Sequence, residues 1–259
     1  MVGAETHDSM TGNILSSSIR LHINTFTFSA TPHVFSSLGR NDVHIWRIAL
    51  GNNVSEKNSQ LTAVLSVDER ARAARYRFDK HRDSFIESRA ALRSIIATYA
   101  DVAAADVEFN YGPHGKPHLA PGLNEAQLQF SFSRREGLAV VALARDRDVG
   151  IDVEFIRDDF PTREVAKEIF SERESEEFLL LPAEQRVEGF YNCWTRKEAY
   201  IKAIGEGLSF PLKDFDVSLT PMQPARLLRV RTGQAVNWML HDLKVGKNYV
   251  AAFAIALCN

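Results

Sequence analysis

Cysteine is scarce in this chain. Its 259 residues include two, Cys193 and Cys258, too few for a disulfide framework or a cysteine-built zinc cluster. A dominant charge sign is missing as well: 31 Lys and Arg face 33 Asp and Glu, for a formal net charge of −2. Nothing in that balance pulls the molecule toward nucleic acid or an anionic membrane. Long apolar runs are absent. The longest, residues 249–257, falls short of the ~20 residues a spanning helix needs. The first residues carry Glu5 and Asp8 and lack a basic start followed by an apolar run, so they do not read as a signal peptide. These absences predict a cytoplasmic enzyme or binding protein with no nucleic-acid or membrane partner. What is present suits a packed domain: 45% hydrophobic and 25% charged residues are ordinary for a globular protein. The length permits one large domain or two small ones.

The most informative stretch is Val149-Gly150-Ile151-Asp152-Val153-Glu154-Phe155. Its apolar residues alternate with Gly150, Asp152 and Glu154, the period of a strand with one apolar face. Asp152 and Glu154 then project from the other face, with Cβ atoms about 6–7 Å apart, close enough to share one metal ion. The plain alternative is a solvated strand face. A second stretch weighs against it: Trp194-Thr195-Arg196-Lys197-Glu198-Ala199-Tyr200-Ile201-Lys202. It belongs to a helix predicted over residues 190–204 and ended by Gly205 and Gly207. Glu198 and Lys202 lie one turn apart at the rim of an apolar arc formed by Trp194, Tyr200, Ile201 and Ile204. Charges at such a rim line a cleft or form a plain surface pair.

Around these two stretches the pattern predicts a Ser/Thr-rich, loose or partly ordered lead-in over residues 1–40. A first strand follows at residues 44–48, then a polar loop at 51–60. Ser66 with Glu69 three residues on marks a helix start. The Arg- and Ala-rich stretch at 70–99 reads as two helices parted near Phe78-Asp79-Lys80. A short strand is expected at 107–109, followed by a turn-rich loop in which Lys116 lies between Gly115 and Pro117. Residues 128–133, 138–144 and 149–155 read as a three-strand meander, with Ser133 and Arg134 at one sheet end beside the Asp152 strand. Residues 161–189 read as helical. Strands are expected at 215–219, 236–241 and 248–257, the last two as a hairpin.

Gly150-Ile151-Asp152-Val153-Glu154, followed in order by Trp194 to Lys202, resembles the two signature motifs of the 4′-phosphopantetheinyl transferases. Gly115-Lys116-Pro117 and the Phe130-Ser131-Phe132-Ser133 strand resemble the larger, surfactin-synthetase-activating type. The resemblance covers roughly residues 65–220. It implies an α+β fold of two similar halves related by pseudo-twofold symmetry, each a small antiparallel sheet packed with helices. The halves would be residues 41–145, contacting coenzyme A, and residues 146–259, carrying the metal and catalytic motifs. It also implies the reaction: Mg²⁺-dependent transfer of phosphopantetheine from coenzyme A to a serine of an apo acyl or peptidyl carrier protein, releasing 3′,5′-ADP.

Carried over by motif, Asp152 and Glu198 would hold the metal, with Glu154 joining directly or through water. Glu198 would be the base for the carrier serine, and Lys202 would meet the pyrophosphate and the leaving group. Coenzyme A would contact Arg82, Arg89, Lys116, Ser133 and Arg134. Where the family commonly reads N-x-S-H, this chain reads Ser131-Phe132-Ser133-Arg134; arginine holds phosphate at least as well as histidine. Trp194 is assigned to packing, and the role of Lys197 is left open. Because the larger type supplies both halves in one polypeptide, a monomer is expected. Two other functions compete: a different Mg²⁺-dependent phosphohydrolase, and a non-catalytic binder of coenzyme A or carrier protein.

Overall fold

Two serines start the shorter helices. In the computed structural model, which describes residues 13–14, 19–28, 37–51, 58–125, 127–157 and 159–257, Ser66 and Ser171 each accept a hydrogen bond from the backbone three residues on. Glu69 and Glu174 return the bond to the cap. Each such reciprocal cap contributes about 1 kcal/mol.

In chain order the N-terminal part holds strands β1 (Asn13–Ile14), β2 (Arg20–Phe26) and β3 (Asp42–Ala49). Helices α1 (Asn58–Ala63), α2 (Val67–Ala74) and α3 (Asp79–Ala100) follow, then the hairpin β4 (Phe109–Tyr111) and β5 (Pro117–Leu119). Strands β6 (Leu128–Arg135), β7 (Leu138–Arg145) and β8 (Val149–Phe155) lead to helices α4 (Thr162–Ile169), α5 (Glu172–Leu180) and α6 (Arg186–Ile204). Strands β9 (Asp216–Val217), β10 (Leu227–Arg229), β11 (Trp238–Leu243) and β12 (Tyr249–Ala256) complete the chain.

The architecture is α+β, with the layers helix, sheet, sheet, helix. One sheet runs β1-β2-β3-β7-β6 and another β11-β12-β8; β2 pairs with β3 in parallel. Alternation along each strand sorts its side chains between layers. On β7, Ala139, Val141 and Leu143 pack under Leu92, Ile95 and Ile96 of α3. Val140, Ala142 and Ala144 turn the other way, onto Val149, Ile151 and Val153 of β8 and Ala251 and Phe253 of β12. Ala252 and Ala254 face Ala199, Tyr200 and Ala203 of α6. With both faces covered, β7 and β12 read as near-continuous apolar runs. The apolar face of β8 is therefore the sheet–sheet interface, and Gly150, Asp152 and Glu154 look toward α6.

Several sequence expectations need correction. The meander does not form: β6 and β7 make a hairpin, but β8 leaves to pair antiparallel with β12. A period-two pattern fixes which face is apolar and says nothing of the partner strand. Within the lead-in, Arg20–Phe26 forms a full strand of the larger sheet. The expected polar loop gives way to α1 from Asn58. The short strand begins at Phe109, two residues late. The helical stretch at 161–189 divides at the Phe170-Ser171 cap into α4 and α5, and α6 begins at Arg186, four residues early.

Candidate active site

Gly150 determines how α6 meets β8. A Cβ at this position would collide with the backbone of Ala199 and Ala203. Only glycine lets the helix backbone lie directly on the strand. Along α6, Trp194, Glu198 and Lys202 recur every four residues and share one face. The close approach brings that face over Asp152 and Glu154, and the ammonium of Lys202 reaches Asp152 Oδ1 at 2.6 Å.

Ser133 joins the two sheets at this point. Its hydroxyl donates to Asp152 Oδ1 at 2.8 Å and accepts from Lys202 Nζ at 3.0 Å. It also accepts from the Val153 N–H at 3.4 Å, while Ser131 Oγ accepts from the Ile151 N–H at 3.1 Å. Serine hydroxyls thus stand in for the backbone ladder that β6 and β8 lack. Arg135 Nε lies 2.8 Å from Glu154 Oε2.

Asp152 is 4% exposed, which removes the solvated-face alternative. Its Oδ2 and Glu198 Oε1 are buried without a hydrogen-bond partner. Buried acceptors of this kind are costly unless something satisfies them. Burial, then the charge of Asp152, raise Glu198 to about 7, with Glu154 adding to the rise and Lys202 opposing it. Burial and Asp152 also raise Glu154, against Arg135, Trp194 and Lys202. Three carboxylates with two unpaired buried oxygens make a donor set suited to a hard divalent cation. The set is open: among the described residues, the trio whose ligand atoms close to within 4.8 Å of one another lies elsewhere, at His22, Asp42 and His44. Three carboxylates repel one another, and the cations set against that repulsion are Lys202 on Asp152 and Arg135 on Glu154.

The remaining sequence-predicted residues fall in four places. Arg134 points back over Phe85, donating to Tyr76 OH at 3.1 Å and Ser84 Oγ at 3.4 Å. Arg89 donates to Glu69 at 2.8 Å and Tyr111 OH at 3.1 Å. It lines a cavity of about 630 Å³ with Arg72, Arg75, Phe85 and Arg93. Arg82 pairs with Asp79 and Asp83 and borders a different hollow, beside Arg70 and Thr62. Lys116 lies on the β4–β5 loop between Gly115 and Pro117. Its ammonium turns inward, donating to Ala203 O at 2.7 Å and Val149 O at 3.2 Å, and burial lowers its pKa. It ties the β4–β5 loop to the end of α6.

Within the second motif, Lys197 is structural. Its ammonium bonds the carbonyls of Leu212 and Phe215, each at 2.7 Å, and pairs with buried Glu174 at 2.7 Å. Arg196 holds Asp242 and the Ser218 carbonyl. Trp194 stacks on Phe190. Sequence reasoning missed Ser131 and Arg135, both on β6, because their partners belong to another sheet. The alternation over residues 128–133 placed Ser131 and Ser133 on one face, which was the available signal.

With this geometry established, comparison with known proteins is specific. A family model described as the 4′-phosphopantetheinyl transferase superfamily matches residues 148–256. One described as 4′-phosphopantetheinyl transferase, N-terminal, matches residues 52–146. The chain is 40% identical to the 4′-phosphopantetheinyl transferase HetI of Nostoc sp. over 215 residues, 83% of this chain and 88% of that protein. It is 29% identical to the 4′-phosphopantetheinyl transferase Sfp of Bacillus subtilis over 63% of this chain and 70% of that one. It is also 25% identical to the human L-aminoadipate-semialdehyde dehydrogenase-phosphopantetheinyl transferase, over 81% of this chain and 74% of that one. On these matches, the chain belongs to the 4′-phosphopantetheinyl transferases.

Proposed function

We propose that this protein transfers the 4′-phosphopantetheine group of coenzyme A to a serine hydroxyl of an apo acyl or peptidyl carrier protein, releasing 3′,5′-ADP, with Mg²⁺ as cofactor. The observation that carries the reading is the pair of unpaired buried oxygens, Asp152 Oδ2 and Glu198 Oε1, beside the ammonium of Lys202. Asp152 and Glu198 would hold the metal, with Glu154 joining directly or through water. Bound there, Mg²⁺ supplies neutralisation of pyrophosphate charge.

The chain's own residues do the rest. Glu198 takes the proton of the carrier serine as its oxygen bonds to the phosphorus of the phosphopantetheine group. The bond from that phosphorus to the 3′,5′-ADP oxygen breaks, and the negative charge left on the nucleotide meets Lys202. Ser133 keeps Asp152 and Lys202 in register. Arg89 and Arg134 supply cation charge for the nucleotide phosphates, as does Arg82 from the outer side of α3. Lys116 has two of its three donors on carbonyls and keeps one for a phosphate oxygen. We assign residues 41–145 and 146–259 to two halves of pseudo-twofold kind, with coenzyme A between them. The repeated helix-on-sheet layer supports that assignment. We assign the working protein to the cytoplasm as a monomer.

The test is to incubate purified protein, coenzyme A and Mg²⁺ with a panel of apo carriers and weigh each carrier. A gain of one phosphopantetheine on at least one is expected. Release of 3′,5′-ADP in the absence of any carrier would instead identify a phosphohydrolase. Binding of both substrates without transfer would identify a non-catalytic binder.

A further inference from the structure

Strands β2 and β3 carry a second cluster, at the opposite end of the larger sheet from Ser133. In their parallel register His22 lies beside His44, and Arg20 beside Asp42. Period two puts Asp42 and His44 on one face, with His22 alongside; Leu21, Val43 and Ile45 turn the other way, into the sheet–sheet core. The ligand atoms of His22, Asp42 and His44 all lie within 4.8 Å of one another. His22 Nε2 is 3.6 Å from Asp42 Oδ1, and the two imidazole centroids are 4.9 Å apart.

Two observations set this cluster apart from a packed polar group. The Nε2 atoms of both histidines are buried without a hydrogen-bond partner, and His44 is only 1% exposed. The other nitrogen of His44 is engaged: Nδ1 lies 2.7 Å from Tyr99 OH, which accepts from Trp46 Nε1 at 3.0 Å. In the tautomer whose Nδ1–H donates to Tyr99 OH, Nε2 keeps its lone pair for a metal, with the outer-shell partner of a metal-ligating histidine in place. Asp42 is similarly oriented, its Oδ2 accepting from the Gly39 N–H at 2.8 Å. Its Oδ1 accepts from Arg20 Nε at 2.7 Å. The Arg20 side chain is 58% exposed, so it can swing into solvent and leave that oxygen to a cation.

We propose that His22, Asp42 and His44 form a binding site for one divalent transition metal of the zinc class, which fastens strand β2 to β3. Two imidazoles and one carboxylate suit Zn²⁺, with water in the fourth position. They do not suit Mg²⁺, which takes oxygen ligands. The site is separate from the Asp152 cluster and rests on none of the chemistry assigned there.

The experiment loads chelator-treated full-length protein with one equivalent of Zn²⁺, removes unbound metal by desalting, and measures retained zinc and Tm. Co²⁺ substitution reports the coordination geometry by visible absorption. The wild-type chain is expected to keep about one zinc, to gain Tm, and to give the intense bands of four-coordinate Co²⁺. His22→Gln and Asp42→Asn should each weaken zinc at least tenfold and abolish the cobalt bands. Asp152→Ala should keep the metal. His22 is the safer variant, since its side chain is 25% exposed and its loss leaves the core intact. Loss of zinc from the wild type on desalting, or equal retention by His22→Gln, would overturn the proposal. Loss of zinc in Asp152→Ala alone would also overturn it, because the metal would then belong to the acidic cluster.

Discussion

Ser133 makes three hydrogen bonds with one hydroxyl, to Asp152, to Lys202 and to the backbone of β8, and its loss is felt in two ways. Ser133→Ala leaves the Val153 N–H unpaired and frees Asp152 Oδ1 from one donor. It should cost about 1–2 kcal/mol in urea unfolding and lower kcat/KM by about 10–100-fold. Lys202→Met removes the ammonium that lies on Asp152 Oδ1 at 2.6 Å. Transfer should fall by about 100-fold or more with Tm little changed, since Lys202 is half-buried at a rim. An unchanged kcat/KM would rule out the assigned contact with the leaving group. Asp152, Glu198 and Lys202 were legible in the sequence because each rests on one local period: two for the strand, about 3.6 for the helix. Arg135 at Glu154 was not legible, because its salt bridge depends on β8 joining a different sheet. The inward turn of Lys116 was not legible for a similar reason. Its Gly-Pro loop is evident in the sequence, but the two carbonyls that turn its ammonium inward come from β8 and the end of α6.

At the scale of elements, the contact of α6 with β8 creates the site, and it has two supports. Gly150 admits the helix, so Gly150→Ala forces a methyl against the α6 backbone. Overpacking of this kind costs about 1–3 kcal/mol when neighbours can yield. Here the obstructing atoms are backbone, so a loss at or beyond the top of that range is expected in thermal unfolding, with activity falling alongside. A Tm within a degree of wild type would show the approach to be looser than described. The second support is the buried pair of Lys197 and Glu174, which anchors the opposite side of α6. Burial raises the Glu174 carboxyl while Lys197 opposes the rise. Lys197→Met should cost about 3–5 kcal/mol, because it leaves a buried carboxylate uncompensated. Adding Glu174→Gln should restore part of that loss by removing the charge. A double variant no more stable than the single would contradict this. The limits of β8 were read correctly from the sequence, and so was the end of α6 at Gly205. Strand pairing was not, since a period-two pattern holds for either sheet.

At the scale of the whole molecule, two helices sandwich two sheets, and the candidate site lies where the sheets meet along β6 and β8. The α+β class and its helix-on-sheet packing followed from the order of the motifs and from their resemblance to known transferases. The strand from the lead-in did not, because Arg20–Phe26 mixes polar and apolar residues on the face that carries His22. The central claim is that carboxylates from a strand and a distant helix serve one metal beside coenzyme A. The most direct measurement titrates Mn²⁺, as a magnetic substitute for Mg²⁺, into the protein with and without coenzyme A, following free Mn²⁺ by electron paramagnetic resonance. The account predicts about one Mn²⁺ per chain when coenzyme A is bound, weakened at least tenfold by Asp152→Asn and by Glu198→Gln alike. Equal Mn²⁺ binding by the wild type and both variants would contradict it.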